Sequence, residues 1–167
     1  MQVQQALKIA TAMIMLALIV SIMSIRYKIS IVPSAIGCLP IRAAIIDVIE
    51  RNPGRGQLVS FAVRRAEPYF ANGTMFLKIA AGLGGDTVTV DVDKVTITTV
   101  EGEQTVYHVN ALPMLKYAQL TAEQITGVFK IPKGKVFVLG TLPSSFDSRY
   151  WGLINQKDIR GVGYAFL

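Results

Sequence analysis

The amino-acid sequence predicts a mainly β protein, in which an antiparallel β domain is tethered by one N-terminal transmembrane helix. Its 167 residues are 51% hydrophobic and only 17% charged, a composition that excludes a disordered chain. One uncharged apolar run lies near the N-terminus, and the rest of the chain alternates apolar and polar residues between glycine-rich turns. We therefore expect a membrane anchor over 1–28 and a β domain over 29–167.

The predicted anchor is the uncharged run 9–25. As a helix it is about 26 Å long, close to the ~30 Å hydrocarbon core of a bilayer. Lys8 and Arg26 flank the run and can extend to the lipid headgroups. The alternatives are a cleaved secretory signal, for which the run is long and lacks an Ala-x-Ala site, and a buried core helix. Basic residues on both sides leave the orientation undetermined.

Alternation with a period of two residues predicts six strands after the anchor, at 58–63, 87–92, 94–99, 104–109, 135–139 and 161–166. Pairs such as Pro53-Gly54, Asn72-Gly73 and Glu101-Gly102 predict turns between them. One short helix is predicted over 114–124. Strands and helices do not alternate regularly, so the pattern indicates antiparallel pairing.

Charge and residue counts exclude several kinds of site. The net charge of +6 is scattered, without the basic and aromatic cluster of a nucleic-acid interface, so no nucleic-acid partner is expected. Cys38 is the single cysteine, which excludes an intrachain disulfide and a cysteine-rich zinc site. His108 is the single histidine, and its alternating surroundings predict a surface position on a strand. We expect no metal and no cofactor.

Two of the three stretches that could carry chemistry precede residue 90. The stretch 32–40 holds Ser34 and Cys38 between two prolines, although a short turn entering a strand explains it more simply. In the second stretch Lys78 lies within an apolar run. Desolvation disfavours the charged form of an amine and lowers its pKa, and a lysine general base requires such a lowered pKa. Composition alone, however, favours a strand lysine that faces water.

The third stretch is 144–152. Asp147 and Arg149 lie two residues apart, so they either pair as a support within a turn or form a solvated acid–base pair. Trp151 is the single tryptophan and is expected in the core.

Together these stretches resemble the membrane-anchored type I signal peptidases, which are Ser/Lys proteases. The family pattern Lys-x-x-x-Gly-x-x-Gly-Asp-x-Val is matched at every fixed position from 78 to 88, and Asp-Ser-Arg-Tyr-Trp-Gly at 147–152 is a second match. The resemblance covers nearly the whole chain in order. It implies a signal-peptidase-like β catalytic domain and a peptidase that removes leader peptides from exported precursors.

Two details are similar to the conjugative-transfer branch, the TraF-type pilin peptidases. Residues 143–150 fit Pro-x-Ser-Phe-Asp-Ser-Arg-Tyr, and Cys38 precedes Pro40 by the two positions typical of that branch. Gln57 and Thr141 stand where housekeeping enzymes carry aspartate. The resemblance thus implies pilin maturation at a bacterial inner membrane, with the catalytic domain on the periplasmic side. The implied partners are a propilin precursor, membrane lipid and other conjugative-transfer proteins.

By resemblance, Lys78 is the general base, the residue at position 38 is the nucleophile, and Ser145 orients the lysine amine. Family members carry serine where Cys38 stands. Cys38 is therefore a thiol nucleophile, or the alignment is shifted and Ser34 is the fallback, or the site is inactive. Two alternative functions follow: a housekeeping type I signal peptidase, and an inactive relative that acts as an assembly scaffold in the transfer apparatus.

The resemblance also implies an active site beside the membrane, which suits a substrate that is itself anchored by its leader. Ile29, Ile31 and Val32 follow the anchor directly. Burial in the core is the favoured interpretation of these residues, and an apolar surface that seats the domain on the bilayer is the alternative.

Overall fold

The computed structural model describes residues 2–32, 38–64 and 66–166. Its helices are α1 (Gln2–Arg26), α2 (Leu112–Ala118), α3 (Ala122–Ile125) and α4 (Ser148–Trp151). Its strands are β1 (Tyr27–Ile31), β2 (Ala43–Asp47), β3 (Leu58–Ala62), β4 (Met75–Leu83), β5 (Thr87–Val90), β6 (Lys94–Thr98), β7 (Gln104–His108), β8 (Gly127–Lys130), β9 (Lys135–Leu139), β10 (Ile154–Asn155) and β11 (Ile159–Ala165).

The strands form two antiparallel sheets. The larger has the order β1-β2-β11-β3-β4-β9-β10, and the smaller has the order β7-β6-β5-β8. The prediction of a mainly antiparallel β fold behind one N-terminal apolar helix is confirmed. Strand β4 joins the two sheets, because the chain passes from it through a Gly84-Gly85 turn into β5.

Helix α1 is long and apolar enough to cross a membrane over Gln4–Arg26, somewhat more than the predicted 9–25. It continues without a linker into β1. At the junction, the Arg26 guanidinium donates hydrogen bonds of 2.9 and 2.5 Å to Asp47 of β2. These bonds hold the pKa of Asp47 below its usual range. The helix end is therefore fastened to the sheet by both the chain and an ion pair.

Glycines in β11 leave room for side chains of the flanking strands β2 and β3. A Cβ on Gly161 would lie 2.6 Å from Ile46 Cγ2, and one on Gly163 would lie 2.9 Å from Leu58 Cβ. On this side of the sheet, Ile46 and Leu58 form a buried cluster with Leu39 and Ala44. We call this side of the large sheet the Leu39 face.

The opposite side, which we call the Val59 face, carries a larger core cluster that includes Val59, Phe61, Val138 and Phe146. Phe146 belongs to the loop before α4, so this cluster holds that loop against the sheet. Trp151 packs at the edge of the same cluster, with its ring 6.1 Å from that of Phe61.

All six predicted strands are present with small shifts at their ends, and β9 has the predicted bounds. The single helix predicted over 114–124 is wrong. Gln119 adopts a left-handed conformation (φ 54°) that ends α2, and Thr121 caps a separate α3. Five strands were not predicted. The longest of these, β4, is largely covered on both faces and therefore lacks the alternation that a half-exposed strand shows.

The favoured core burial is also wrong for Ile29 and Ile31, whereas Val32 is half-buried. Ile29 and Ile31 are 73% and 79% exposed. Their side of β1 continues across β2 and β11 through the paired residues Ile45 and Tyr164, which are exposed as well. Strand β1 is an edge strand, and no described element covers this surface.

Candidate active site

Lys78 lies in the middle of β4, and its side chain is buried, with 1% of the residue exposed. The expectation from composition, a strand lysine that faces water, is therefore wrong. Its cross-strand partner is Val59, so the lysine points toward the Val59 face. The amine lies 5.3 Å from the centre of the Phe76 ring and donates a 2.9 Å hydrogen bond to Ser145 Oγ.

Ser145 connects the lysine to a buried carboxylate. Its hydroxyl donates a 2.7 Å hydrogen bond to Asp147 Oδ2, so the same oxygen is left to accept from the Lys78 amine. Asp147 Oδ2 also accepts from the Gly140 N–H at 3.0 Å. The loop after β9 is thus closed on itself, and Ser145 has one orientation in which both of its bonds are made.

Arg149 completes this network by forming a bidentate ion pair with Asp147. Its Nε and Nη2 each donate a 2.8 Å hydrogen bond, one to either carboxylate oxygen. Both side chains have 0% exposure, so the pair is a buried support rather than a solvated acid–base pair. Burial alone would raise the pKa of Asp147, but the hydrogen bonds and charge of Arg149, with a smaller contribution from Lys78, hold it below its usual range.

Cys38 is half-buried and lies at the start of a described segment. Its carbonyl oxygen accepts a 3.2 Å hydrogen bond from the Leu142 N–H. A Cβ on Gly140 would lie 2.5 Å from that oxygen and would also collide with Ser145 Oγ, so only glycine fits between them. Ser34, the fallback nucleophile, lies outside the described residues.

A cleft of about 340 Å³ brings these groups together. Cys38 and Lys78 both line it, and Phe146 of the Ser145 loop forms part of its wall. The cleft surrounds the first half of β4, because β9 pairs only with residues 79–83. Residues 75–78 therefore have no strand beside them on that side within the described part of the chain. Aliphatic and aromatic side chains make up most of the lining.

Asp86, the aspartate of the pattern matched over 78–88, stabilises the scaffold instead. Arg55 donates bonds of 2.7 and 2.6 Å to its two carboxylate oxygens, and the Leu83 N–H donates another of 2.9 Å. Gly85, at φ +107°, makes the tight turn that places Asp86 there. Burial alone would raise the pKa of Asp86, but the Arg55 hydrogen bond holds it below its usual range.

Among the hydroxyl side chains of the cleft that were not singled out from the sequence are Ser30 of β1 and Ser60 of β3. Isolated serines in alternating strands carry no distinguishing signal, so only the tertiary structure identifies them. His108 lies exposed at the end of β7, as predicted. Within the described residues, no group of three or more His, Cys, Asp or Glu side chains could hold a metal ion.

Comparison with known proteins gives three findings. Residues 3–167 match the family model described as "Signal peptidase, peptidase S26". The chain is 34% identical over 100 residues to signal peptidase I V of Bacillus subtilis (strain 168), a match that covers 53% of this chain and 55% of the relative. The chain thus matches about half the length of that protein.

A solved structure is also similar, the crystal structure of a signal peptidase I from Enterococcus faecalis V583. The sequences are 28% identical, the match covers 66% of this chain and 96% of the other, and the TM-score is 0.42.

Proposed function

The chain belongs to the signal peptidase family S26, and from that premise we propose that it is a membrane-anchored peptidase that removes leader peptides from exported precursor proteins. In this proposal residues 1–28 are the anchor and 29–167 the catalytic domain. The observation that carries it is the buried Lys78 amine, held by Ser145 in a cleft that Cys38 also lines. Burying a lysine amine costs free energy that one hydrogen bond to Ser145 and the nearby Phe76 ring do not fully offset, which favours a role in proton transfer.

In the proposed reaction, Cys38 Sγ attacks the scissile carbonyl carbon and forms a thioester as the peptide C–N bond breaks. Lys78 carries the thiol proton to the departing amine. The neutral lysine then takes a proton from the water that hydrolyses the thioester. Ser145 is a positioning residue, and the backbone N–H of Cys38 is the expected donor to the oxyanion.

The edge of β4 supports extended binding of the substrate. Residues 75–78 have one side open among the described residues, and an extended peptide can add to such an edge through main-chain hydrogen bonds. The cleft volume of about 340 Å³ lies at the small end of ligand sites, which favours small substrate side chains.

The position of the site relative to the anchor supports a membrane-bound substrate. One row of paired residues crosses the sheet from the first residue after α1 to the lysine: Tyr27, Asp47, Val162, Val59 and Lys78. The exposed Ile29 and Ile31 beside this row can seat the domain on the bilayer. We infer a single-pass protein of a bacterial inner membrane with its catalytic domain on the periplasmic side.

The sequence details favour propilin as the substrate and conjugative transfer as the process. The spacing of Cys38 to Pro40 and the residues at 143–150 fit the TraF-type branch, in which other transfer proteins are expected partners. A housekeeping signal peptidase of broad specificity is equally consistent with the family match and with the Bacillus relative. The range of precursors that the protein cleaves distinguishes the two.

The test is cleavage of a propilin and of unrelated secretory precursors by the full-length protein in membranes. We expect Lys78→Met, which keeps an apolar stem, and Cys38→Ala to abolish cleavage, whereas Lys94→Met, at an exposed lysine that begins β6 of the small sheet, does not. Cleavage of all precursors alike would favour the housekeeping function.

Retained cleavage in Cys38→Ala together with loss in Ser34→Ala would move the nucleophile to Ser34. Equal cleavage by the Lys78→Met protein would overturn the lysine mechanism. Absence of cleavage in the unsubstituted protein would favour the scaffold. Thermal unfolding of each variant checks that the fold is retained.

A further inference from the structure

The cleft has two sides that are lined by different residues, and the open edge of β4 separates them. Lys78 and Phe76 line one side, and both point to the Val59 face because they pair with Val59 and Phe61. On the other side, Ser60 pairs with Leu77, which packs against the cluster of the Leu39 face. A peptide on this edge would direct alternate side chains to the two sides.

Ser30 and Ser60 place two hydroxyls on the Leu39 side. Ser30 shares its face with Ala44, its cross-strand partner, and Ala44 belongs to the Leu39 cluster. Both serines line the cleft and are half-buried. Neither hydroxyl makes a hydrogen bond with any described residue, whereas Thr74 Oγ1, also in the cleft, donates to the Ala71 carbonyl at 2.8 Å.

The surroundings of these hydroxyls are apolar. Leu39, Met75 and Leu77 also line the cleft, and Leu39 and Leu77 pack in the cluster of the Leu39 face. When a bound side chain displaces water from such a place, an unpaired hydroxyl costs free energy unless the ligand replaces its hydrogen bond. An aliphatic substrate side chain leaves both hydroxyls unpaired, and a side chain with its own hydroxyl pairs at least one.

We propose that Ser30 and Ser60 form a specificity subsite for a serine or threonine side chain of the substrate. The subsite would receive those alternate side chains of the bound peptide that point to the Leu39 face. This inference rests on the proposed peptidase function and adds a substrate preference to it. One neutral hydrogen bond changes binding by about two- to tenfold, so we expect a preference of about fivefold for serine over a side chain of equal size without the hydroxyl.

The experiment compares fluorogenic peptides that carry alanine around the scissile bond, with serine or its isostere α-aminobutyrate at one position at a time. The full-length protein in detergent micelles is assayed for kcat/KM. At one or more alternate positions, the serine to α-aminobutyrate ratio should be about five. Ser60→Ala or Ser30→Ala should bring it toward one. Ser60→Thr, which keeps a hydroxyl, and Thr98→Ala in the small sheet should preserve it.

A ratio of one at every position in the unsubstituted protein would overturn the subsite while leaving the peptidase function intact. A ratio unchanged in the double variant Ser30→Ala/Ser60→Ala would assign the preference to other residues and also overturn it. Failure to cleave both these peptides and a natural precursor would overturn the proposed function, and the subsite with it. Because the ratio is internal to each variant, partial loss of folded protein does not alter it.

Discussion

Asp147 and Asp86 each hold an arginine through two hydrogen bonds, but only one of the two arginines reaches water. Arg149, the partner of Asp147, has 0% side-chain exposure, whereas Arg55, the partner of Asp86, has 42%. Both aspartates are fully buried. The same kind of ion pair therefore occurs once as a sealed pair and once at the boundary between core and solvent.

The two pairs also differ in what they touch. Asp147 accepts a hydrogen bond from Ser145, which contacts the Lys78 amine. Asp86 instead accepts from the Leu83 N–H within its own turn. The first pair therefore helps to position the buried Lys78 amine, and the second controls the shape of the turn that joins the two sheets. Four expected outcomes test this difference.

The largest effect is expected for Asp147→Ala. It leaves the Arg149 guanidinium buried without its counter-ion, which typically costs about 3–5 kcal/mol of the free energy of unfolding. Denaturant unfolding measures this loss, and cleavage should disappear with it. The matched double variant Asp147→Ala/Arg149→Met removes both charges and should recover much of the stability. A single variant as stable as the unsubstituted protein would show that the pair contributes little.

A smaller loss is expected for Asp86→Ala. The freed Arg55 can turn to water, so the main cost is the unpaired Leu83 N–H, about 1–3 kcal/mol. Unfolding by denaturant gives the value, and the cleavage rate per folded molecule should stay unchanged. A selective loss of kcat in this variant would mean that the turn also positions the lysine.

Ser145→Ala is expected to act on activity more than on stability. It removes one hydrogen bond to the Lys78 amine, worth up to about 1.5 kcal/mol, so kcat should fall by about tenfold. KM should stay unchanged, because Ser145 has no exposed surface with which to contact a bound peptide. Steady-state kinetics separate the two constants. An unchanged kcat, or a change confined to KM, would contradict the positioning role.

The smallest effect is a pH dependence at the acid end. The pKa values of Asp147 and Asp86 both lie below the ordinary range in the folded protein. Their stabilisation is therefore fully present above the unfolded pKa of about 3.9 and is lost as the pH falls through the folded values. The free energy of unfolding should be independent of pH near neutrality and should decrease below about pH 4. In the Asp86→Asn variant this decrease in the free energy of unfolding should be smaller. A decrease equal to that of the unsubstituted protein would show that Asp86 does not contribute to the pH dependence.

Much of the fold could be predicted from local patterns. The N-terminal apolar helix could be predicted because 17 uncharged residues follow one another, and the half-exposed strands could be predicted because they alternate. Strand β4 was not, because burial on both faces removes the alternation. The helix break at Gln119 was also missed, since a left-handed glutamine has no sequence signal.

The candidate site divides in the same way. The spacing of the motifs was enough to select Cys38, Lys78 and Ser145 by resemblance, and the counts of one histidine and one cysteine were enough to expect no cysteine-rich metal site. The sequence alone thus indicated the family, the long N-terminal apolar helix and a short list of candidate catalytic residues, because these depend on residue types and on order along the chain.

Only the tertiary structure decided that Lys78 is buried, that Ser145 links it to the Asp147–Arg149 pair, and that Ser30 and Ser60 lie in the same cleft. Burial and contact between distant residues depend on which strands pair and which face each side chain takes. Those choices are made by packing across the whole sheet, which no local stretch of sequence contains.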